Sequence, residues 1–364
     1  MKGLPFKTWL ACEAERKIRH IDIKEHKLKQ LFWECTLSCN LHCRHCGSDC
    51  KVLPSAMSMK VEDFLKALDS VKAYCEKVGD DPGHILVILT GGEPLMRKDL
   101  EECGRKIIQK GFPWGMVTNG FAMTPERFRR LMASGLHSMT VSLDGLKESH
   151  DWMRGREGSY EKAIGAIKLA IAAGDDLAFD VVTCVNQRNY NELSQIKEML
   201  IAMGLKSWRV FTVFPSGRGK YDPMMQLDNE RFRGVMKFIE DTRKEGRIKC
   251  SYACEGFLGP LEGKVRSNLF RCHAGVNVGS VLNDGSISAC VSIRADYNQG
   301  NIYKDDFMEV WNNRFQVYRD RSWMKKGQCG TCKFFRYCEG GGMHLRNSDG
   351  SLQFCHLDRL KELF

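Results

Sequence analysis

Three cysteines close together in the first third of the chain are the residues best suited to carry chemistry. Cys39, Cys43 and Cys46 are separated by three and then two residues, and they follow a short apolar segment. An iron-sulfur cube takes four thiolates, and a structural zinc ion takes four ligands. A loop with three thiolates therefore leaves one iron open to a substrate or cofactor. The alternative is a zinc knuckle completed by Cys35 or Cys50, which flank the loop.

Two later segments carry groups that suit a small polar ligand. Gly91 and Gly92 allow the backbone to approach a ligand closely, and Glu93 offers an acceptor for an ammonium group. Farther along, Asp144 follows another apolar segment, and Arg154 comes ten positions later. An isolated Asp-Gly or Gly-Gly-Glu is an ordinary turn, so these segments gain meaning only from the cysteine loop before them.

Taken together, the C-x3-C-x2-C loop, the Gly-Gly-Glu-Pro turn and the Ser-Leu-Asp-Gly and His-Asp-x-x-Arg-Gly segments resemble the radical S-adenosylmethionine (SAM) superfamily, especially its protein-modifying members. The resemblance implies that Cys39, Cys43 and Cys46 hold a 4Fe-4S cluster whose fourth iron is chelated by SAM. One electron entering this cluster would break SAM into methionine and a 5'-deoxyadenosyl radical, which abstracts a hydrogen atom from the substrate.

The same resemblance assigns the SAM contacts. Gly91, Gly92 and Glu93 would meet the amino group of SAM. Ser142 and Arg154 would bind its carboxylate, with Arg154 as a charge-assisted donor, and Asp144 would lie near the ribose. Two weaker candidates, a Thr-Asn-Gly segment at 118–120 and a Gly-Arg-Gly segment at 217–219, would border the same ligand. No general acid or base is assigned.

A second group of cysteines lies near the C-terminus. Cys329, Cys332 and Cys338 have two and five residues between them, and Cys355 follows. Four thiolates can close around one metal centre, either an iron-sulfur cluster or a zinc ribbon. Upstream, Cys272 and Cys290 complete a pattern that resembles the SPASM domain, which holds one or two auxiliary 4Fe-4S clusters in enzymes that modify peptides and proteins.

Two departures from the SPASM pattern are informative. Gly342 stands where the pattern has a cysteine for the first auxiliary cluster, so Cys272 and Cys290 would need help from Cys250, Cys254, His273 or His344, or that cluster does not form. Cys329, Cys332, Cys338 and Cys355 still form a complete set for the second auxiliary cluster. Val291 occupies the position of the proton-removing aspartate of anaerobic sulfatase maturases, which argues against sulfatase maturation.

These motifs need a scaffold that presents loops from one face of a sheet. Six short apolar segments alternate with amphipathic stretches, which predicts strand-helix units around a parallel sheet. The predicted strands are Leu31–Glu34, Ile85–Leu89, Gly115–Thr118, Ser138–Ser142, Phe179–Val185 and Trp208–Phe214. The predicted helices are Val61–Val78, Leu100–Lys110, Pro125–Ala133, Tyr160–Ala173, Tyr190–Met203 and Asp228–Lys244. Ser58 is the candidate N-cap of the first helix and Thr124 of the third.

The expected fold is therefore of the α/β class, a partial (β/α)6 TIM-type barrel followed by a cysteine-rich C-terminal SPASM domain. We expect three parts: an N-terminal extension over 1–30, the radical SAM barrel over 31–246 and the auxiliary-cluster domain over 247–364. In such barrels the loops after the strands form the active face, and the cysteine loop has this position.

Composition limits the other classes. Seventeen cysteines in one chain favour metal binding over disulfides in a reducing compartment. No apolar run is long enough to span a bilayer, and we expect a cytoplasmic protein without a membrane partner. The formal charge of +10 is spread along the chain, so we expect no nucleic-acid partner.

We therefore predict an oxidoreductase that uses SAM, a radical SAM 4Fe-4S cluster and one or two auxiliary 4Fe-4S clusters. Its partners would be a peptide or small protein substrate and a reductant such as flavodoxin or ferredoxin. Two rivals stay open: a radical SAM enzyme acting on a small molecule such as a tetrapyrrole, and a non-enzymatic zinc or iron-sulfur protein that binds nucleic acid.

Overall fold

The computed structural model describes residues 4–48, 50, 58–253 and 255–363. Cys254, one of the candidate cluster ligands, lies outside the described residues.

Ten strands form a single sheet in the described part of the chain. Their order across the sheet is β10-β9-β8-β1-β2-β3-β4-β5-β6-β7. The strands are β1 Gln30–Thr36, β2 Leu86–Gly91, β3 Trp114–Thr118, β4 Leu136–Ser142, β5 Ala178–Val185, β6 Ser207–Thr212, β7 Lys249–Tyr252, β8 Val278–Val281, β9 Ser286–Ser288 and β10 Gly300–Asn301. Strands β1 to β7 pair in parallel, and the two ends of the sheet do not pair with each other, so the barrel stays open.

The described residues form twelve α-helices, which alternate with the strands through the first 245 residues. They are α1 Phe6–Glu25, α2 Val61–Val78, α3 Leu100–Gln109, α4 Pro125–Ala133, α5 Lys147–Arg154, α6 Ser159–Ala172, α7 Leu193–Ala202, α8 Asn229–Glu245, α9 Phe307–Asn313, α10 Gln316–Arg319, α11 Phe335–Cys338 and α12 His356–Arg359. The expected α/β fold with an open partial barrel and a cysteine-rich C-terminal region is confirmed.

The sheet continues beyond the six predicted strands. Strand β7 has only four residues, and β8 to β10 lie in a glycine-rich region where periodicity is weak, so local patterns do not reveal them. Strand β8 pairs in parallel with β1 and carries a β-hairpin onto the edge of the barrel sheet. The C-terminal cysteine-rich region is thereby joined to the strand that leads into the cysteine loop.

Local signals explain most helix ends. The Thr124 side chain accepts a hydrogen bond from the Arg127 backbone N–H at 3.1 Å, as expected of an N-cap. The expectation for Ser58 is wrong: Lys60 is the N-cap residue of α2, and the Ser58 hydroxyl instead donates to Thr36 Oγ1 at 2.7 Å. Helix α1 had no counterpart in the sequence analysis, because its outer face is neither cleanly apolar nor cleanly polar.

The core fills the space between the sheet and the helices. Trp33, Trp114 and Trp208 are fully buried, and the Trp33 ring stacks on Phe64 of α2 with 4.4 Å between ring centroids. Burial of such large apolar side chains is the dominant stabilising contribution. This packing holds the strand ends, and therefore the loops after them, in a fixed arrangement. No helix in the described residues has the length and apolar character needed to cross a membrane.

Candidate active site

The cysteine loop follows β1 on the face where the other strands also end. Cys39 and Cys43 are buried, Cys46 is half-buried, and all three belong to one small apolar cluster. Cys50 belongs to the same cluster, whereas Cys35 points into the main core and its thiol donates to the Thr90 carbonyl at 3.1 Å. Of the two flanking cysteines, only Cys50 therefore lies with the loop.

Glycines let three segments lie directly against the cysteine loop. A Cβ atom on Gly92 would be 2.2 Å from the Ser38 carbonyl oxygen, and one on Gly155 would be 2.4 Å from that of His42. A Cβ on Gly217 would be 2.2 Å from the Cys46 oxygen. We expected Gly91 and Gly92 to allow close approach of a ligand. The structure shows close approach of the chain to itself: Gly91, too, would place a Cβ 2.0 Å from a backbone oxygen of this loop's base.

Glu93 is fully buried at the end of β2, and three donors hold its carboxylate. Thr118 Oγ1 donates to Oε1 at 2.6 Å, the Leu95 N–H donates to Oε1 at 3.1 Å, and the Asn119 N–H donates to Oε2 at 2.7 Å. An ionised carboxylate has about four acceptor positions, so one remains for an ammonium group. Burial raises the pKa of Glu93 above its ordinary value despite these bonds.

Arg154 links the helix end of α5 to the cysteine loop. Its Nη2 lies 2.5 Å from Asp144 Oδ2, and its Nη1 lies 3.7 Å from Cys43 Sγ. Burial opposes the ionisation of Asp144, but Arg154 and two nearby histidines hold the pKa of that carboxyl below its usual value. Both charged groups are therefore kept ionised directly beside a cluster-loop thiol. Ser142, the third predicted carboxylate contact, is half-buried at the end of β4.

The site contains buried polar atoms that have no hydrogen-bond partner among the described residues. Among the described residues, Arg154 Nε, Thr90 Oγ1 and His45 Nδ1 are buried and lack a hydrogen-bond partner. Orphaned buried polar groups are costly, and they suit a polar ligand that would satisfy them. Together with three thiols in one loop and a carboxylate with a spare acceptor position, they fit a 4Fe-4S cluster and the amino-acid end of SAM.

The two weaker candidate segments also contact the loop. The Asn119 amide donates to Asn40 Oδ1 at 2.9 Å and lies 4.0 Å from Cys39 Sγ. The Arg218 guanidinium donates from Nε to the Cys43 carbonyl at 2.9 Å, and its backbone N–H donates to the Cys46 carbonyl at 3.0 Å. Arg218 is a positioning residue that the sequence analysis left without a role. The sequence feature that could have indicated this role is a basic residue between two glycines after the last predicted strand.

The four C-terminal cysteines surround a cavity of about 470 Å³. Cys329, Cys332, Cys338 and Cys355 all line it, and Arg346 Nη2 lies 3.4 Å from Cys329 Sγ. Among the described residues, no three ligand-type side chains converge on a point that suits a single metal ion. The structure thus places all four predicted ligands around one cavity, with a cationic donor to one sulfur.

Among the described residues, no complete ligand set for a first auxiliary cluster surrounds Cys272 and Cys290. Cys272 and Cys290 are half-buried neighbours: burial raises the pKa of the Cys290 thiol, and Cys272 adds to the rise. Cys250 is fully buried in β7, away from solvent, and His273 Nδ1 lies 3.2 Å from Asn277 Oδ1.

His344 occupies the space of the missing cysteine. A Cβ on Gly342 would be 2.5 Å from His344 Cε1 and 2.8 Å from its Nδ1. The imidazole packs on Phe214, after β6, with 4.9 Å between ring centroids. Burial lowers the pKa of His344 to about 4, so the ring is neutral at physiological pH. The described residues thus offer two thiols, and a neutral imidazole in place of the third.

Comparison with known proteins agrees with this geometry. The radical SAM superfamily matches residues 33–200, and the SPASM iron-sulfur cluster-binding domain matches residues 272–333. The chain is a radical SAM enzyme with a SPASM domain. This radical SAM enzyme accordingly uses 4Fe-4S clusters and SAM, and the rival interpretation as a non-enzymatic nucleic-acid-binding protein is wrong.

Relatives of this radical SAM enzyme include heme synthases and mycofactocin maturases. It is 29% identical over 328 residues to the AdoMet-dependent heme synthase of Methanosarcina barkeri, covering 85% of this chain and 89% of that protein. It is 30% identical over 339 residues to the mycofactocin maturase MftC of Mycobacterium ulcerans, covering 89% of this chain and 86% of that protein. Both likenesses extend through the barrel and the cysteine-rich region.

The fold of the radical SAM enzyme is also known from solved structures. The structure of anSMEcpe with bound AdoMet and the Cp18Cys peptide superposes with a TM-score of 0.69 at 20% identity, covering 93% of this chain and 96% of that chain. At this level of identity the likeness establishes the fold alone.

Proposed function

We propose that this enzyme reductively cleaves SAM and abstracts a hydrogen atom from a peptide or small protein. The observation that carries the proposal is the 30% identity with a mycofactocin maturase across both the barrel and the SPASM domain. When bound, SAM and its cluster supply the 5'-deoxyadenosyl radical that begins the reaction.

The role of the chain is to hold SAM over the open iron. Cys39, Cys43 and Cys46 would hold the cluster, and the remaining acceptor position of Glu93 would take the SAM ammonium group. The Arg154 guanidinium, held by Asp144 beside Cys43, would bind the SAM carboxylate. We expect Gly91 and Gly92 to act by fixing the loop, Ser142 to reach the carboxylate from β4 and Asp144 to lie near the ribose.

The four cysteines Cys329, Cys332, Cys338 and Cys355, called the C-terminal quartet from here on, would hold one auxiliary cluster and provide an electron route to or from the substrate site. Cys272 and Cys290 would complete a first auxiliary cluster only with a further ligand. Val291, in place of the sulfatase-maturase aspartate, supports a peptide modification other than sulfatase maturation.

A tetrapyrrole is the second candidate substrate. It is favoured by the 29% identity with a heme synthase, which spans a similar length of chain. The chemistry proposed for SAM is the same in both cases, so the two proposals differ only in what meets the radical.

The deciding experiment compares both substrate classes with one enzyme preparation. Anaerobically reconstituted enzyme, SAM and dithionite are incubated with candidate small proteins encoded beside the gene, and separately with an iron porphyrinoid bearing propionate groups. Mass change in one small protein, with 5'-deoxyadenosine above the substrate-free level, supports the peptide proposal. Stimulation and mass change with the porphyrinoid alone would overturn it in favour of the second candidate.

A positioning control separates SAM binding from substrate choice. Arg154→Lys keeps a positive charge but loses the forked guanidinium, so we expect about tenfold weaker SAM binding in calorimetry. Lys168→Arg, an exposed substitution on α6, is the matched control and should leave SAM binding unchanged.

A further inference from the structure

The segment that carries two of the C-terminal cysteines is strongly basic. Residues 325–336 contain four basic residues and no acidic one. Lys325, Lys326 and Lys333 are all exposed, and we name these three lysines the basic face. A concentration of one sign of charge around a particular site raises the local concentration of oppositely charged partners.

The basic face flanks the C-terminal cysteines in sequence, and one of its three lysines lines their cavity. Cys329 and Cys332 are in the same segment, and Lys333 lines the cavity together with the four cysteines. Cys332 is half-buried, so this side of the site is close to the surface. One carboxylate, Asp358, also lines the cavity, and it lies 3.5 Å from Lys361 Nζ.

Helix α1 extends the same surface. Its Glu13 pairs with Arg336 and accepts a hydrogen bond from the Tyr337 hydroxyl at 2.7 Å. Its other inward acids, Glu15 and Asp22, pair with Arg271. The acidic groups of α1 are thus turned toward the protein, except for Glu25 at its C-terminal end.

The outward side of α1 is apolar and basic. Phe6 is 72% exposed and Leu10 is 54% exposed, and both belong to the helix that packs against α11. Lys7, Lys17 and Lys24 are exposed on the same helix. Apolar contacts within a charged surface are the usual composition of a transient protein interface.

We propose that the basic face, bordered by α1, is the docking surface for an acidic one-electron carrier protein. The proposal rests on the assignment of the C-terminal quartet as cluster ligands. The reduced carrier would give up one electron, which an iron-sulfur cluster held by the four C-terminal cysteines would accept, with no bond made or broken and no proton transferred. A carrier must come close to the site to transfer an electron, and the half-buried Cys332, next to the exposed Lys333, brings the site near the surface. Electron-transfer complexes have small interfaces, and their association is steered by complementary charge.

The basic surface also suits an anionic membrane, but the lysines surround the cysteine segment rather than α1 alone. Membrane binding would not require the positive charge to be concentrated beside the cluster cysteines. The position of the charge therefore favours the redox partner.

The test measures binding rather than turnover. Reconstituted enzyme is titrated calorimetrically with oxidised flavodoxin at low and high ionic strength, without SAM or substrate. The variant is Lys325→Glu/Lys326→Glu, and the control is Lys162→Glu/Lys168→Glu on α6, which packs on α5, β4 and β5 of the barrel. We expect the first to weaken binding about tenfold or more and to reduce its salt dependence, and the control to change it less than about twofold.

Three further results make the outcome decisive. Unchanged iron content in Lys325→Glu/Lys326→Glu shows that the quartet site is intact, and Lys333→Glu serves as a second variant if it is not. Equal affinities in the wild type and the variant, or equal losses in both double variants, would overturn the proposal. The proposal would also be overturned if Lys325→Glu/Lys326→Glu lost binding to anionic phosphatidylglycerol vesicles but kept its affinity for flavodoxin. That result would assign the surface to a membrane. Because no SAM or substrate is present, failure here is distinct from failure of the proposed reaction.

Discussion

At the scale of single residues, the most consequential groups have no side chain at all. Gly155 and Gly217 come from segments far apart in sequence, yet each lies against a carbonyl of the cysteine loop at a distance that no Cβ can occupy. Both also have positive φ angles, which other residues adopt only at a cost. The loop is therefore held from several sides by backbone contacts, while its three thiols remain available.

Gly155 and Gly158 provide a matched pair for testing this contact. Both have positive φ angles, 67° and 76°, but a Cβ on Gly158 meets nothing within 4 Å. We expect Gly158→Ala to cost about 1 kcal/mol through its backbone conformation alone. Gly155→Ala should cost at least about twice as much and lose iron from the cysteine loop. Urea unfolding and iron analysis of anaerobic protein check both values, and equal effects would contradict the steric explanation.

The absent cysteine at position 342 leads to a second residue-scale prediction. Gly342→Cys alone should not add a cluster, because the His344 ring lies where the new Cβ must go. Gly342→Cys/His344→Ala removes that ring, and with Cys272 and Cys290 it offers three thiols, so we expect about four more irons per chain. Iron analysis and electron paramagnetic resonance of the reduced protein provide the measurement. Extra iron in the single variant would show that the ring is easily displaced.

At the scale of elements, one short motif joins three parts of the barrel. The Asp144 backbone N–H donates to His150 Nδ1 at 3.0 Å, and Arg154 pairs with the Asp144 side chain. Asp151 turns the other way: it accepts from Ser159 Oγ and the Tyr160 N–H at 2.7 Å, and from the Gly158 N–H at 2.9 Å. Helix α5 is thereby fixed to β4 at one side and to the start of α6 at the other.

Asp151 should make stability depend on pH. Burial opposes its ionisation, but the three donors lower its pKa below the ordinary value. A carboxyl with a lowered pKa in the folded state stabilises above its unfolded pKa and loses that contribution as pH falls through the folded one. Asp151→Asn keeps one acceptor oxygen of two, so we expect a loss of about 1 kcal/mol at neutral pH.

Urea unfolding from pH 7 down to pH 3 checks this expectation. The gap between wild type and Asp151→Asn should narrow below about pH 4. Glu157 is an exposed carboxyl in the same loop, and Glu157→Gln is the control. We expect this substitution to leave the free energy of unfolding unchanged from pH 7 to pH 3. A difference in unfolding free energy that is constant across this pH range would show that the charge of Asp151 plays no part in these hydrogen bonds.

At the scale of the whole molecule, the barrel and the cysteine-rich region share one sheet and one chain of contacts. Strand β8 pairs with β1, and Glu255, after β7, accepts from the Thr212 N–H at 2.9 Å and lies 3.4 Å from His356 beside Cys355. The quartet site is therefore built against the barrel rather than on a separate appendage, which suits passage of electrons between them.

Removing one quartet ligand tests this organisation. Cys338→Ala should lower the iron content by about four per chain while the cysteine loop keeps its own cluster. Cys75→Ala, a buried thiol in α2, is the control and should leave the iron content unchanged. Iron analysis with electron paramagnetic resonance distinguishes the two. Loss of all iron in Cys338→Ala would show that the two sites fold together and cannot be separated.

Local patterns alone determined much of this protein. The bounds of α2 and α4, the parallel strand-helix alternation, and the spacing of Cys39, Cys43 and Cys46 depend on residues near one another in the chain, where periodicity and capping act directly. The motifs that place the chain in its superfamily are equally local. These features could be read without coordinates because their causes lie within a few turns of backbone.

Only the tertiary structure decided what depends on residues distant in sequence. That Gly92 and Gly155 lie against the cysteine loop, that Arg218 donates to it, and that His344 fills the place of a cysteine follow from contacts between separate segments. The joining of β8 to β1 has the same origin. Such contacts form when packing of the core brings the strand ends together. Local sequence patterns therefore do not predict which distant backbone segments come into contact.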